Sequence, residues 1–233
     1  MRFKTIIAIL TLLSLSSCTK EIPPSIKLKV EYSDKSKKEI PRIYFIDVYK
    51  DGKIFKKYER FRKPHIEKEI LMDSLTNGEY EFVYLNFLNQ SLTKTVEIKE
   101  NKQYTISINP DYSDYKDFID KSLVRNLEDN QKVEFFYKSS GCFHSLEGNL
   151  IVNKKDNTYY AESRGSAKKL NKKELDAIIK MECELNLLQK GGCTTNDHYI
   201  VKFGNEEKEF NDRTCAWEGW TNMFKQINLK YNF

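Results

Sequence analysis

The 233 residues are 31% charged and 39% hydrophobic, with a formal net charge of +5 at pH 7. Lysines are scattered among glutamates rather than gathered in a stripe, so no phosphate-binding surface and no nucleic-acid partner is predicted. After residue 17 no apolar stretch approaches the roughly eighteen residues of a membrane span, and the length suits one large domain or two of about a hundred residues.

The chain opens with basic residues in Met1-Arg2-Phe3-Lys4, continues through the apolar run Thr5 to Leu13, and reaches Leu15-Ser16-Ser17 ahead of Cys18. Too short for a comfortable permanent span, this run reads as a signal peptide with small residues at its cleavage site. Leu-Ser-Ser-Cys resembles the lipobox of bacterial lipoproteins. The resemblance implies removal of residues 1–17, a diacylglyceryl group on the Cys18 thiol, and attachment to the outer membrane on its periplasmic or its surface side. Two or more acyl chains hold a protein stably where one does not. Residues 18–25 then form a polar tether stiffened by Pro23 and Pro24. Lys20-Glu21 resembles the charged export signal of surface lipoproteins of the Bacteroidota.

Residues 26–110 alternate like a sheet. Ile26, Leu28, Val30 and Tyr32 lie two apart with charged residues between them. Ile43 to Tyr49, the turn Lys50-Asp51-Gly52-Lys53 and Ile54 to Tyr58 read as a hairpin. Further strands are predicted over Ile66 to Leu71, around Tyr80, Phe82 and Tyr84 after the Asn77-Gly78 turn signal, over Leu92 to Ile98, and over Tyr104 to Ile108. About seven strands with short turns predict an all-β antiparallel sandwich. Leu75 to Ile108 resembles the immunoglobulin-like or transthyretin-like accessory modules of exported bacterial proteins.

In Ile43 to Tyr49 both alternating faces are largely apolar, so a one-sided strand would leave Tyr44, Ile46 and Val48 uncovered. Internal cover by loops or by the second half of the chain is expected, with a partner patch at these three residues as the alternative. Residues 111–130 are read as a helical linker. Asn109, Asp111, Ser113, Tyr115, Asp117 and Asp120 fall at calcium-loop offsets, but Asp114 stands where glycine is needed and Asp120 where a bidentate glutamate is needed. Ser113 or Asp114 is instead predicted to start a helix carrying Tyr115, Phe118, Ile119, Leu123 and Leu127.

Residues 131–233 mix both periods and predict an α+β domain in the order βββαββα. Strands are expected over Val133 to Tyr137, Leu146 to Val152 and Thr158 to Glu162. Asn171 and Glu174 form a capping-box pattern ahead of a helix that Gly191-Gly192 is expected to end. A hairpin turns at Gly204-Asn205, and Trp217, Trp220, Phe224 and Ile227 sit at helical spacing, which favours core packing over a sugar-stacking platform. The outline of this half resembles uncharacterised domains of bacterial lipoproteins, and the resemblance implies no catalytic residue.

With Cys18 assigned to lipid, Cys142, Cys183, Cys193 and Cys215 form an even set in an exported chain and predict two disulfides. A two-residue turn at Gly204-Asn205 sets Phe203 opposite Glu206 and brings Cys193 beside Ala216, which favours Cys193 with Cys215 and leaves Cys142 with Cys183. Against this stand a Cys142/His144 nucleophile pair, which needs a reduced thiolate, and a zinc site drawn from these cysteines, His144 and His198, which lacks any Cys-x-x-Cys. No metal, cofactor or catalytic residue is predicted, since metalloprotease, nucleophile-elbow, phosphate-loop and dinucleotide patterns are all missing. The expectation is a non-catalytic binding or accessory lipoprotein with an envelope protein or glycan partner. A periplasmic inhibitor or immunity-like lipoprotein and a hydrolase of unrecognised type are the alternatives.

Overall fold

The computed structural model describes residues 23–33, 35, 37, 39–59, 66–141 and 144–229. The signal peptide with its cleavage site, the lipidation residue Cys18, most of the tether and Cys142 lie outside the described residues. Among the described residues the chain is mostly β, with thirteen strands in three sheets and three helices.

The first half holds seven strands, each close to its predicted position: β1 (Ser25–Val30), β2 (Phe45–Lys50), β3 (Lys53–Glu59), β4 (Glu69–Met72), β5 (Gly78–Leu85), β6 (Ser91–Ile98) and β7 (Gln103–Ile108). They form two sheets, β4-β1-β7 and β3-β2-β5-β6. Ile26, Leu28 and Val30 of the first sheet and Ile46, Val48, Tyr80, Phe82 and Tyr84 of the second enter one buried cluster. Each such side chain contributes about 1.5–3 kcal/mol by leaving water. The sheets are not wholly antiparallel, as expected from the turns, because β1 runs parallel to β7 with Ile26 opposite Tyr104. These strands are the first and last of the set, and the long excursion between them supplies the crossover that a parallel pair requires.

Two turn signals have different outcomes. Asp51 and Gly52 adopt positive φ between paired Lys50 and Lys53, the two-residue hairpin that Asp-Gly favours. Asn77-Gly78 makes no hairpin: β4 and β5 belong to different sheets. Gly78 has φ +141°, and a Cβ there would stand 2.9 Å from the Asp51 carboxylate, which accepts the Glu79 amide.

Ile46 and Val48 are fully buried in the cluster between the two sheets. Ile46 and Val48 are therefore not an exposed partner patch, and the cluster that covers them is drawn from both sheets and from Ile43, Ile66 and Leu75 outside the strands. Tyr44, just ahead of β2, is half-buried, as are Phe45, Asp47 and Tyr49 along the strand.

The second half contains α1 (Lys116–Ile119), β8 (Lys132–Ser140), β9 (Ser145–Lys155), β10 (Thr158–Ser163), β11 (Ser166–Lys169), α2 (Lys172–Leu185), β12 (Asn196–Phe203), β13 (Glu206–Asp212) and α3 (Gly219–Ile227). One six-stranded antiparallel sheet results, ordered β11-β10-β9-β8-β12-β13. The expected order gains one strand, β11. Ser166-Ala-Lys-Lys has no apolar alternation because it is a short, largely exposed edge. The helix expected from Ser113 or Asp114 shrinks to the single turn of α1, with no side-chain cap at Tyr115. Beyond it Val124 and Leu127 are buried in irregular backbone, and Phe118, Ile119 and Leu123 pack against the same core.

Helix α2 begins with the complete capping box, Asn171 accepting from the Glu174 amide and Glu174 from the Asn171 amide. It ends at Leu185, earlier than Gly191-Gly192 implied. The Asn186 side chain donates to the Glu182 carbonyl and the Leu187 amide turns back to Glu184, so the last carbonyls are satisfied without glycine. Gly191 instead permits a close crossing of two backbones. A Cβ there would lie 1.8 Å from the Arg213 carbonyl oxygen, so only glycine fits.

The β12–β13 register runs from Phe203 opposite Glu206 to Asp197 opposite Asp212, and the Cys193–Cys215 disulfide closes its far end. The second expected bridge is corrected. Cys183 is a free thiol, 1% exposed, on the buried side of α2. It sits among apolar side chains as a small hydrophobe, and burial pushes its pKa up to about 12, with Glu182 and Glu184 adding to the rise.

Candidate functional site

The two halves meet over a short turn. After β5 the chain makes the turn Asn86 to Gln90, in which Asn89 has φ 60° and the Asn86 side chain accepts from the Leu88 and Gln90 amides. The turn drives Leu88, 2% exposed, into the core of the second half rather than the first. Its carbonyl accepts from the Gln189 amide at 3.0 Å, and Asn86 donates to the Tyr112 carbonyl at 3.1 Å. A first-half loop is thus built into second-half packing.

Beside this junction opens a cleft of about 880 Å³. One wall comes from Tyr32, Arg42, Phe87 and the segment 110–113, and the other from Lys180 and Glu184 of α2, Trp217 and Glu218, and Asn222 and Met223 of α3. Glu184 organises the second wall. Its buried carboxylate accepts from Trp217 Nε1 at 2.8 Å and Ser113 Oγ at 2.6 Å, with Lys180 Nζ at 3.7 Å. That fixes the Trp217 ring, the 110–113 segment and α2 in one arrangement. On the opposite wall Asp111 accepts from the Ser33 amide at 2.9 Å and the Ser33 hydroxyl at 3.1 Å. Lys37 Nζ lies 4.6 Å from the centre of the Tyr32 ring. Burial raises the Tyr32 pKa, with Glu218, Glu39 and Asp111 adding to the rise and Arg42 opposing it. The cleft therefore joins aromatic faces with both signs of charge, and Tyr112, 46% exposed, stands on its lining.

The residues at calcium-loop offsets are drawn elsewhere: Asn109 donates to the Glu31 carbonyl, Asp111 holds Ser33, and Ser113 holds Glu184. Among the described residues no cluster of three or more His, Cys, Asp or Glu is placed to hold a metal ion. His198 is paired with Glu209 on the surface at 3.1 Å. His144 Nε2 lies 2.9 Å from Ser139 Oγ, and Ser139 also bonds Tyr137, whose hydroxyl bonds Asp197. A serine beside an imidazole has the outline of a nucleophile and its base, but Ser139 is 3% exposed and closed off from a substrate. Burial drives Tyr137 up to about 12 and Tyr199 well above its ordinary value, so both phenols stay protonated at neutral pH. Trp220 and Phe224 of α3 are buried in the same core, Trp220 stacked on Tyr137 at 5.2 Å, as their helical spacing predicted, while Trp217 is buried there from the segment before the helix.

Sequence reading missed Glu182 and Glu184. Glu182 accepts from Ser122 Oγ at 2.5 Å, the Leu123 amide at 2.6 Å and the Val124 amide at 3.2 Å, pinning the irregular linker to α2. One signal was present: Glu182 occupies the Ile178, Glu182, Leu185 stripe where an apolar residue belongs.

No family model matches the chain, and no curated protein matches it. Among solved structures, the crystal structure of a DUF3823 family protein from Bacteroides uniformis ATCC 8492 aligns over 81% of this chain and 96% of that one, at 9% identity and a TM-score of 0.23. Similarity at that level carries no argument about fold or activity.

Proposed function

We propose that this chain is a membrane-anchored extracytoplasmic lipoprotein that acts as a non-catalytic binding or accessory module, with the junction cleft as its partner surface. The N-terminal pair of sheets, read as a sandwich, serves as the spacer. The disulfide-bearing second half completes the cleft. The observation that carries this reading is the cleft itself: about 880 Å³, walled by both halves and lined by aromatic rings and by both signs of charge. Such a surface suits orientation-specific capture of a polar partner, an envelope protein or glycan. Its serine, Ser113, already donates to Glu184, and no imidazole is among its described lining residues, so the reading asks for no chemistry. The Cys18 lipobox supports outer-membrane anchoring, and no described helix is long and apolar enough to cross a membrane.

Two measurements test this. Labelling cells with an alkyne-bearing palmitate analogue is expected to mark the wild-type chain and not Cys18→Ser; an unlabelled wild-type chain rejects the anchor. Pull-down from detergent-solubilised membranes is expected to recover envelope protein or glycan, with loss of recovery when Arg42 and Lys180 are both reversed to Glu. Stoichiometric recovery of a secreted hydrolase or toxin instead identifies an inhibitor and rejects the accessory role.

A further inference from the structure

The tether joins the first half at one identifiable end. The Pro24 carbonyl accepts from the Leu75 amide at 3.0 Å, and the Ser25 amide donates to the Lys102 carbonyl at 3.2 Å. The chain therefore enters β1 between the turn after β4 and the turn joining β6 to β7. The β2–β3 hairpin tip comes to the same end: Lys50 Nζ donates to the Thr76 hydroxyl, the Asp51 amide donates to the Glu79 carbonyl at 2.9 Å, and the Glu79 amide donates to the Asp51 carboxylate at 3.0 Å. The junction turn lies at the opposite end, about 25 Å away along β5.

Four large hydrophobic side chains are exposed among the described residues: Ile54 at 52%, Phe55 at 47%, Leu71 at 54% and Tyr112 at 46%. Tyr112 belongs to the junction cleft, and the other three gather at the tether end. Ile54 and Phe55 follow the hairpin tip directly, while Leu71 pairs with Lys27, two residues from Ser25. They also share a side. Because β6 and β7 are joined by the turn 99–102, β3 and β4 are the edges on the other side of the two sheets. Ile70 and Met72 of β4 enter the cluster, so Leu71 between them points to the opposite face, where a polar residue belongs. The register irregularity between Val48 and Tyr49 leaves Phe55 without an opposite residue on β2, its ring edge-on to Tyr80 at 5.6 Å.

Charge at this end is balanced. Lys99 pairs with Glu97 and Lys102 with Glu100, each at 2.7 Å, and Lys50 lies 3.9 Å from Asp51. Exposed Asp73 and Glu79 outnumber the remaining cation, Lys53. With no positive surplus, an occupant of this end is selected by apolar contact and not by its charge.

We infer that this apolar rim seats the first half on the lipid surface that holds the anchor, with Ile54, Phe55 and Leu71 entering between the head groups; the inference rests on the Cys18 anchor proposed above. Six Cα-to-Cα steps lead from Cys18 to Pro24, a reach of about 20 Å at full extension, so this end stays beside the bilayer on any path of the tether. Within that reach the contact is intramolecular, and three half-exposed side chains suffice where they would not hold a free chain. The seat sets which end faces lipid and directs the junction cleft to the aqueous side.

The test uses the mature lipoprotein isolated from membranes, reconstituted in phosphatidylcholine vesicles and carrying benzoylphenylalanine at position 55, 71 or 91. Ser91 is exposed at the junction end of β6. Irradiation is expected to give phospholipid adducts from positions 55 and 71 and none from 91, read by mass spectrometry of the digested chain. The same digest reports the Cys18 peptide. If Cys18 carries no lipid, the anchor reading falls and this inference with it; an acylated chain without adducts at 55 and 71, or with equal adducts at 91, overturns the seat alone. Replacing a third of the phosphatidylcholine by phosphatidylglycerol is expected to leave the yield unchanged, and a severalfold rise rejects apolar selection. With the probe moved to Asn77, exposed at the same end, Ile54→Ser, Phe55→Ser and Leu71→Ser together are expected to lower the yield about fivefold. An unmoved yield overturns the assignment, and the position scan stands even if the triple variant folds poorly.

Discussion

The core between the first two sheets and the core beneath the six-stranded sheet are stabilised by different means. The first is made of alternating side chains, with Ile26, Ile46, Val48, Tyr80 and Phe82 interleaved from facing strands. The second contains every buried carboxylate of the described residues, Glu182, Glu184 and Asp212. Two of these tie irregular backbone to α2, where regular strand pairing is unavailable. Where strands can pair, apolar alternation suffices; where the chain runs without a ladder, a buried acceptor holds it. The cleft lies where the second device is used.

The sharpest way to break this contrast is Glu182→Ala. It strands the Ser122 hydroxyl and the Leu123 and Val124 amides in a buried site, and at about 1–3 kcal/mol per stranded donor, with partial recovery by water, a loss of about 4 kcal/mol is expected. Denaturant unfolding measures it, and a loss comparable to that of an exposed glutamate removes the distinction. Leu88→Ala is expected to cost about 3 kcal/mol. Because Leu88 is borne by a first-half turn yet packs in the second core, the loss is expected to appear in the unfolding of the second half. If only signals from the first half respond, the junction is not built as described.

The smallest effect concerns pH. Burial raises the pKa of Asp212 above its ordinary 3.8, with Asp197 opposite it on β12 adding to the rise. Burial likewise raises Glu182 above 4.5. Between the ordinary and the raised values the folded chain binds more protons than the unfolded one, so these groups make stability fall as pH rises through that window. Glu31, held below its ordinary value chiefly by Lys35 and Ser107, acts in the opposite sense, its contribution being lost as pH falls below about 4.5. Asp212→Asn keeps an acceptor for the Thr214 amide, removes the like-charge pair, and is expected to stabilise at pH 8 by about 1 kcal/mol while flattening the window. Urea midpoints across pH 3.5–8 record it, and an unchanged slope contradicts the assignment.

The same contrast explains what could be read in advance. All seven first-half strands followed from period-two alternation and turn residues, because their stabilisation is local in pattern. The parallel β1–β7 pair did not, since register between first and last strands leaves no mark on either. In the second half the Asn171 and Glu174 capping box and the Phe203–Glu206 register were legible, and the register led to the Cys193–Cys215 bridge. Pairing by elimination then failed at Cys183, because an even count of cysteines says nothing about which one is needed as a small apolar side chain inside a helix face. The cleft was illegible for a similar reason. Tyr32, Arg42, Glu184 and Trp217 are brought together only by tertiary contacts across the junction.

The most direct test of the central claim is site-specific photocrosslinking of the full-length protein in intact membranes. Benzoylphenylalanine is placed at Asn222 in the cleft or at Thr95, exposed on β6. The expected result is a discrete envelope adduct from position 222, absent from position 95 and lost when Cys18→Ser releases the chain from the membrane. An adduct from position 95 with none from position 222 contradicts the cleft as the partner surface.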